Sequence, residues 1–191
     1  MIKNAKNQLL EVLQNLGCTE DCATFSESNC SSSARRRTVT VIFPDGREVS
    51  ATGEGYRNSD ADIAAAQFAL DQLRSEHSDL LVDWDEIFSQ AQAGDALIKL
   101  SVYLAAGLTN ASDRSQLLQR MESDLHLARL FDLWRSQGDP DLAIWGPKLG
   151  EKRKATLVES LLWQRFGERV LTPNAATQFE PMLKTLVIEN Y

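Results

Sequence analysis

The feature that most constrains this chain is a β-hairpin written into residues 38–52. The run Thr38-Val39-Thr40-Val41-Ile42-Phe43 is rich in β-branched side chains, which suit a pleated surface. Pro44-Asp45-Gly46 follows as a turn, because proline presets φ and glycine accepts positive φ. Arg47 to Thr52 then returns as the partner strand, with Val49 and Ala51 on one face. A hairpin with one apolar face is marginal alone and needs elements to cover that face. The flanking sequence supplies them. Upstream, Ala23-Thr24-Phe25-Ser26 suits a short strand, separated from the hairpin by a polar loop from Glu27 to Ser33. Before it, Leu9, Leu10, Val12, Leu13 and Leu16 recur at helical spacing from Ala5 to Leu16, and Gly17 stands where a C-terminal cap falls. Downstream, Gly53-Glu54-Gly55 is expected to break the sheet. From Asp60 onward Ala61, Ile63, Ala64, Ala65, Phe68, Ala69, Leu70 and Leu73 form an alanine-rich helix with a close-packing face. The predicted order is α-β-β-β-α.

Beyond this point the period changes. The polar stretch Arg74 to Asp79 marks a boundary, giving a domain at 1–74, a linker at 75–80 and a helical domain at 81–191. The fold class expected is therefore α+β. Trp84, Ile87, Phe88 and Ala91 lead into Leu97, Ile98, Val102 and Leu104 as one helical pattern. Asp113 with Gln116 suits a capping box for a single helix carrying Leu117, Leu118, Met121, Leu125, Ala128, Phe131 and Trp134, ended by the turn at Gly138 to Asp141. A further helix is predicted from Lys154 to Phe166. A last one after Thr172-Pro173-Asn174 would carry Phe179, Met182, Leu183, Leu186 and Val187.

Composition narrows the function. With 43% hydrophobic and 25% charged residues, the 191-residue chain has the make-up of an ordinary globular protein. Its formal charge of −7 has the wrong sign for a broad nucleic-acid-binding surface, so any such contact must be local. No apolar run reaches the roughly 18 residues of a membrane span, and Met1-Ile2-Lys3-Asn4 does not open a secretory signal. A cytoplasmic protein without membrane contact is expected. Cys18, Cys22 and Cys30 lack a second cysteine or histidine pair that would complete a metal site, so they read as free, partly buried thiols. No cofactor is expected. His77 and His126 stand apart from any nucleophile, and Trp84, Trp134, Trp145 and Trp163 have the apolar neighbours of core or interface aromatics.

The α-β-β-β-α order, with Gly53-Glu54-Gly55 and the helix containing Ala64-Ala65-Ala66, resembles the double-stranded-RNA-binding domain over residues 3–73. The resemblance implies that helix one and a loop read A-form minor grooves while cations at the start of helix two hold the phosphates between. It places Glu11 where a first-helix acid meets ribose hydroxyls, and Arg35, Arg36, Arg37 and Arg57 as the available cations. It also marks departures. The loop reads Asn29-Cys30-Ser31-Ser32-Ser33-Ala34-Arg35-Arg36-Arg37 without the family's proline and histidine, and its phosphate-gripping lysines become Asn58-Ser59-Asp60-Ala61-Asp62.

In the helical part, Gly94-Asp95-Ala96-Leu97, Asp124-Leu125-His126-Leu127-Ala128-Arg129-Leu130 and Arg153-Lys154-Ala155-Thr156-Leu157 resemble landmarks of the ribonuclease III catalytic fold over roughly residues 82–170. That family hydrolyses phosphodiesters with divalent metal held by several carboxylates. The resemblance puts the first acid at Ala91 and the late pair at Ser160 and Trp163, or at Glu159 and Leu162 with a one-residue slip. Asp95 is the residual metal-ligand candidate, and no catalytic residue is assigned.

These readings lead to a noncatalytic ribonuclease III-like protein that binds structured or double-stranded RNA or a ribonucleoprotein partner. Two alternatives stand beside it. One is a protein-interaction or dimerisation scaffold that has lost RNA contact, its acidic surface meeting a basic partner and its helical domain forming a homodimer. The other is a metal-dependent double-stranded-RNA endonuclease.

Overall fold

The computed structural model describes residues 4–28, 34–104, 110–170, 181 and 186, and the chain has a mixed α+β fold. It divides into two compact units: Met1–Val82 with Ala143–Leu149, and Asp83–Leu142 with Gly150–Tyr191.

The first unit opens with α1 (Ala5–Asn15), started by Asn4, whose side-chain oxygen accepts the Asn7 amide at 2.9 Å. Gly17 ends it at φ +71°, a left-handed turn that lets the Cys18 amide reach back to the Leu13 carbonyl at 2.9 Å. Strands β1 (Ala23–Glu27), β2 (Arg35–Ile42) and β3 (Glu48–Gly55) form an antiparallel sheet in that order. Val41 faces both Ala23 and Val49 in the register, which puts Val39, Val41 and Val49 on one fully buried face. The opposite face carries a ladder of small hydroxyls, with Thr38 Oγ1 at 2.8 Å from Thr52 Oγ1 and 2.7 Å from Ser28 Oγ. The turn has Gly46 at φ +87°, as its sequence requires.

Helix α2 (Asn58–Glu76) packs its alanine face, Ala61, Ala65, Ala66 and Ala69, on the sheet. Here the structure corrects the sequence reading. Gly53-Glu54-Gly55 continues β3 and does not break it. The glycines serve packing: a Cβ at Gly53 would lie 2.2 Å from the Ala65 nitrogen and 2.5 Å from the Ala61 oxygen, so only glycine lets the helix backbone rest on the strand.

The segment 143–149, expected with the helical part, groups with this first unit. Its Gly146 amide donates to the Leu16 carbonyl at 2.6 Å and its Lys148 amide to the Gly17 carbonyl at 3.0 Å, with Trp145 and Leu149 buried. The backbones approach this closely because both positions are glycine: a Cβ on Gly146 would meet the Gly17 oxygen at 2.1 Å.

The second unit holds α3 (Trp84–Leu104), α4 (Ala111–Met121), α5 (Asp124–Ser136) and α6 (Glu151–Val170). The single helix predicted from Asp113 through Trp134 is two helices. Ser123 breaks it, accepting the His126 amide on its hydroxyl at 3.3 Å and so restarting the helix in a new direction. The cap of α4 is Asn110, whose side chain accepts the Ser112 amide at 2.7 Å, and not Asp113. Helix α6 starts three residues before the predicted Lys154. It packs on α3 and α5, and Ala155, Leu157, Val158, Leu161 and Leu162 are buried in it, as are Ile98 and Val102 in α3 and Leu127, Leu130 and Phe131 in α5. The helix predicted after Asn174 lies outside the described residues except Pro181 and Leu186. Both are helical, and Leu186 is buried with its carbonyl 2.8 Å from His126 Nε2.

Candidate functional site

The basic residues of the first unit were expected in a loop, but Arg35, Arg36 and Arg37 open β2, paired with Gly55, Glu54 and Gly53. Alternation along the strand therefore sends neighbouring arginines to opposite faces. Arg36, on the hydroxyl face, donates from Nε to Glu54 Oε1 at 2.8 Å and from Nη2 to the same oxygen. Arg37 turns to the packed face. Its Nε donates to Asp62 Oδ1 at 2.9 Å, its Nη2 to the Phe25 carbonyl at 3.3 Å, and its Nη1 lies 3.7 Å from Glu27.

Asp62 is the centre of this cluster. It is 7% exposed and takes Lys6 Nζ on its other oxygen at 2.7 Å, while the same Lys6 ammonium lies 4.3 Å from the centre of the Phe25 ring. Burial pushes the Asp62 carboxyl up, but the hydrogen bonds from Lys6 and Arg37 outweigh it and hold the group below its ordinary range. One carboxylate thus ties α1, β2 and α2 together.

Arg35 and Arg57 are exposed and form no ion pair with a described residue. Arg35 pairs with Gly55, which lies against Asp60 and Ala61 at the start of α2, and Arg57 immediately precedes that helix. Asn58, Ser59 and Asp60 are exposed there as well. Glu11 is exposed on α1 in a shallow depression with Asn7, Leu10 and Gln14.

In the second unit Asp95 on α3 and Glu159 on α6 lie at the crossing of the two helices, Asp95 being next to the Gly94 that meets the Glu159 backbone. These helices touch closely because a Cβ on Gly94 would fall 1.9 Å from the Glu159 carbonyl oxygen. Asp95 accepts Lys99 Nζ at 2.6 Å one turn along its own helix. Burial, reinforced by Asp95 and then Asp124 and opposed by Lys99, pushes the Glu159 carboxyl up to about 7. Beside it, Ser160 donates to Gln90 Oε1 at 2.8 Å, and Gln164 donates to the same oxygen at 2.6 Å. Ala91 is buried. Among the described residues no group of three or more histidine, cysteine, aspartate or glutamate side chains is arranged to hold a metal ion.

The structure thus joins residues that sequence spacing kept apart. The ion-pairing role of Asp62 had no local signal, because its partners lie 25 and 56 positions away. The pairing of Glu159 with Asp95 became visible only through the helix crossing at Gly94. Comparison of the chain with models of known protein families, with curated proteins and with solved structures finds no match in any of the three.

Proposed function

We propose that the chain is a noncatalytic ribonuclease III-like protein, with a first unit like a double-stranded-RNA-binding domain, that acts in RNA metabolism as a ribonucleoprotein-associated factor. In this reading it meets its assembly through protein contacts. One observation carries the reading: Asp62 stands where the resemblance expects a phosphate-gripping cation, and it draws Lys6 and Arg37 into an internal ion cluster. Cations that would neutralise phosphates are used to hold the fold. The formal charge of −7 favours a basic protein partner over a polyanion. The noncatalytic part is supported by the engagement of Asp95 with Lys99, by Ala91, and by the burial of Glu159, which raises its carboxyl and disfavours the charged form a metal ligand needs.

A weaker duplex contact through exposed Arg35 and Arg57 is the second reading. Two phosphate contacts give a slope of log affinity against log salt of about −2, far below that of a protein with a full cationic set. The test is a salt titration with a fixed RNA duplex, beside co-isolation of ribonucleoprotein particles with and without nuclease. The reading expects duplex affinity that is weak at low salt and absent at physiological salt, and association with particle proteins that survives nuclease. Tight duplex binding with a slope steeper than about −5 overturns it. So does association that nuclease abolishes.

A further inference from the structure

Resting on the reading that the chain meets its assembly through protein contacts, we propose that the outer edge of β3 is the docking surface. It takes an antiparallel strand from a protein partner, an extended segment that alternates basic and apolar side chains. The sheet register identifies the groups that do the pairing. Phe43 donates its amide to the Arg47 carbonyl at 2.9 Å, so the hydrogen-bonded pairs between β2 and β3 continue through Val41 with Val49, Val39 with Ala51 and Arg37 with Gly53. On the β1 side of β2 the Ser28 amide reaches the Arg36 carbonyl at 3.0 Å, which follows the same alternation. Glu48, Ser50, Thr52 and Glu54 therefore turn their amides and carbonyls away from β2. Among the described residues none bonds to those main-chain groups. The opposite edge of the sheet is shorter and partly engaged, since β1 has five residues and its Phe25 carbonyl accepts Arg37 Nη2 at 3.3 Å. Strand β3 has eight residues, no proline and an unbroken register, so nothing in it blocks further pairing.

The side chains beside the edge define what the partner carries. An added strand lays alternate residues on the two sides of the sheet. On the solvent side it runs beside Glu48, Ser50, Thr52 and Glu54, all exposed. Glu48 has no ion-pair partner among the described residues, and both Arg36 bonds to Glu54 fall on Oε1, which leaves Oε2 without a bond from a described residue. A cation at each end of the added strand satisfies both acids, and the formal charge of −7 favours the same sign of partner. On the α2 side the strand meets apolar surface. Phe68 is 57% exposed, and with Ala64, Thr52, Glu54 and Arg36 it lines an open cavity of about 670 Å³ that valine-sized side chains can enter. A second copy of the chain suits the edge less well. Antiparallel β3 on β3 in full overlap sets Glu48 of each copy opposite Glu54 of the other, and like charges directly opposite destabilise a strand pair.

The experiment uses the full chain, isotope-labelled for NMR, and a synthetic peptide of sequence lysine-valine-threonine-valine-threonine-valine-lysine. Paired antiparallel, it sets its lysines against Glu54 and Glu48 and its threonines against Thr52 and Ser50. Saturable shifts are expected at these four amides and at Ala64 and Phe68, and exchange of the four amides should slow about tenfold once the peptide reaches about ten times its Kd. N-methylation of the two threonines removes N–H groups that face β3 and should abolish binding, whereas N-methylation of the central valine, whose N–H points away, should not. Glu48→Lys should weaken the lysine peptide about fivefold and strengthen a peptide with glutamates in place of its lysines. Ser50→Pro removes an outward N–H at an edge position that tolerates proline, so it should block the edge while Val39 and Val41 stay slow to exchange. A peptide that shifts none of the edge amides, or binds equally after threonine N-methylation, overturns the proposal. Protection of the four amides before peptide is added also overturns it: a second copy covers the edge if protection rises with protein concentration, and another segment of this chain if it does not. Nuclease-resistant association with particle proteins that persists in Ser50→Pro overturns the edge and leaves the protein-contact reading standing. Association that nuclease abolishes in the wild type overturns that reading instead, and the edge amides tell the two failures apart.

Discussion

Replacing Asp62 by alanine should loosen the first unit more than any change at an exposed acid. The carboxylate is buried, and its removal leaves Arg37, whose side chain is 18% exposed, with the Phe25 carbonyl and a 3.7 Å approach to Glu27 as its partners among the described residues. Breaking a buried pair by deleting one partner costs about 3–5 kcal/mol, and an exposed pair about 0–1 kcal/mol. Lys6, at 36% side-chain exposure, can turn to solvent, so the loss expected lies between these limits at about 2–3 kcal/mol. Native-state hydrogen exchange at the Val39, Val41 and Val49 amides reads this unit separately from the helical one. Exchange there should quicken about 30- to 150-fold, since each 1.4 kcal/mol is about tenfold. The Asp62 carboxyl is held below its ordinary value, so its stabilisation is complete above the unfolded pKa of about 3.9 and is lost as pH falls through the lower folded value. The gap between wild type and variant should therefore be full at pH 7 and shrink in acid. Asp60→Ala, an exposed first-turn carboxylate, should cost under about 1 kcal/mol. A loss below about 0.5 kcal/mol for Asp62→Ala would refute the cluster as a structural clamp.

Gly94→Ala should destabilise the second unit by about 3 kcal/mol in urea unfolding, because the new methyl meets backbone and not a movable side chain. A near-neutral result would show that α3 and α6 do not cross so closely. Glu159→Gln should stabilise that unit by about 1–2 kcal/mol at pH 8, after discounting for partial exposure, and by much less at pH 5. The sign follows from a raised folded value of about 7: the wild-type acid favours folding below its unfolded pKa, and that benefit is lost between about 4.3 and 7 as pH rises. Equal effects at both pH values would contradict the burial of this acid. Lysines at Asn58 and Ser59, both exposed, should steepen the salt slope of duplex binding by about 2 without weakening the fold. An unchanged slope would place duplex contact elsewhere.

Local spacing alone determined the mixed α+β class, the hairpin with its turn at Gly46, and the helical period beyond residue 80. Each of these rests on contacts among residues a few positions apart, where propensity and apolar spacing act directly. Strand ends were misread at both sides for a tertiary reason. Arg35 to Arg37 look like a solvated loop, yet they pair along β3, and Gly53 looks like a breaker until α2 is laid upon it. Ser123 had no local advantage over its polar neighbours as a helix break. The uses of charge were decided only by the folded chain. Whether Asp62 faces water or two cations depends on Lys6 and Arg37, brought from α1 and β2 by packing of the apolar faces. Whether Glu159 is an ordinary acid or one raised by burial depends on how closely Gly94 lets two helices meet. Burial and electrostatic coupling are properties of distance in space, which no spacing along the chain encodes.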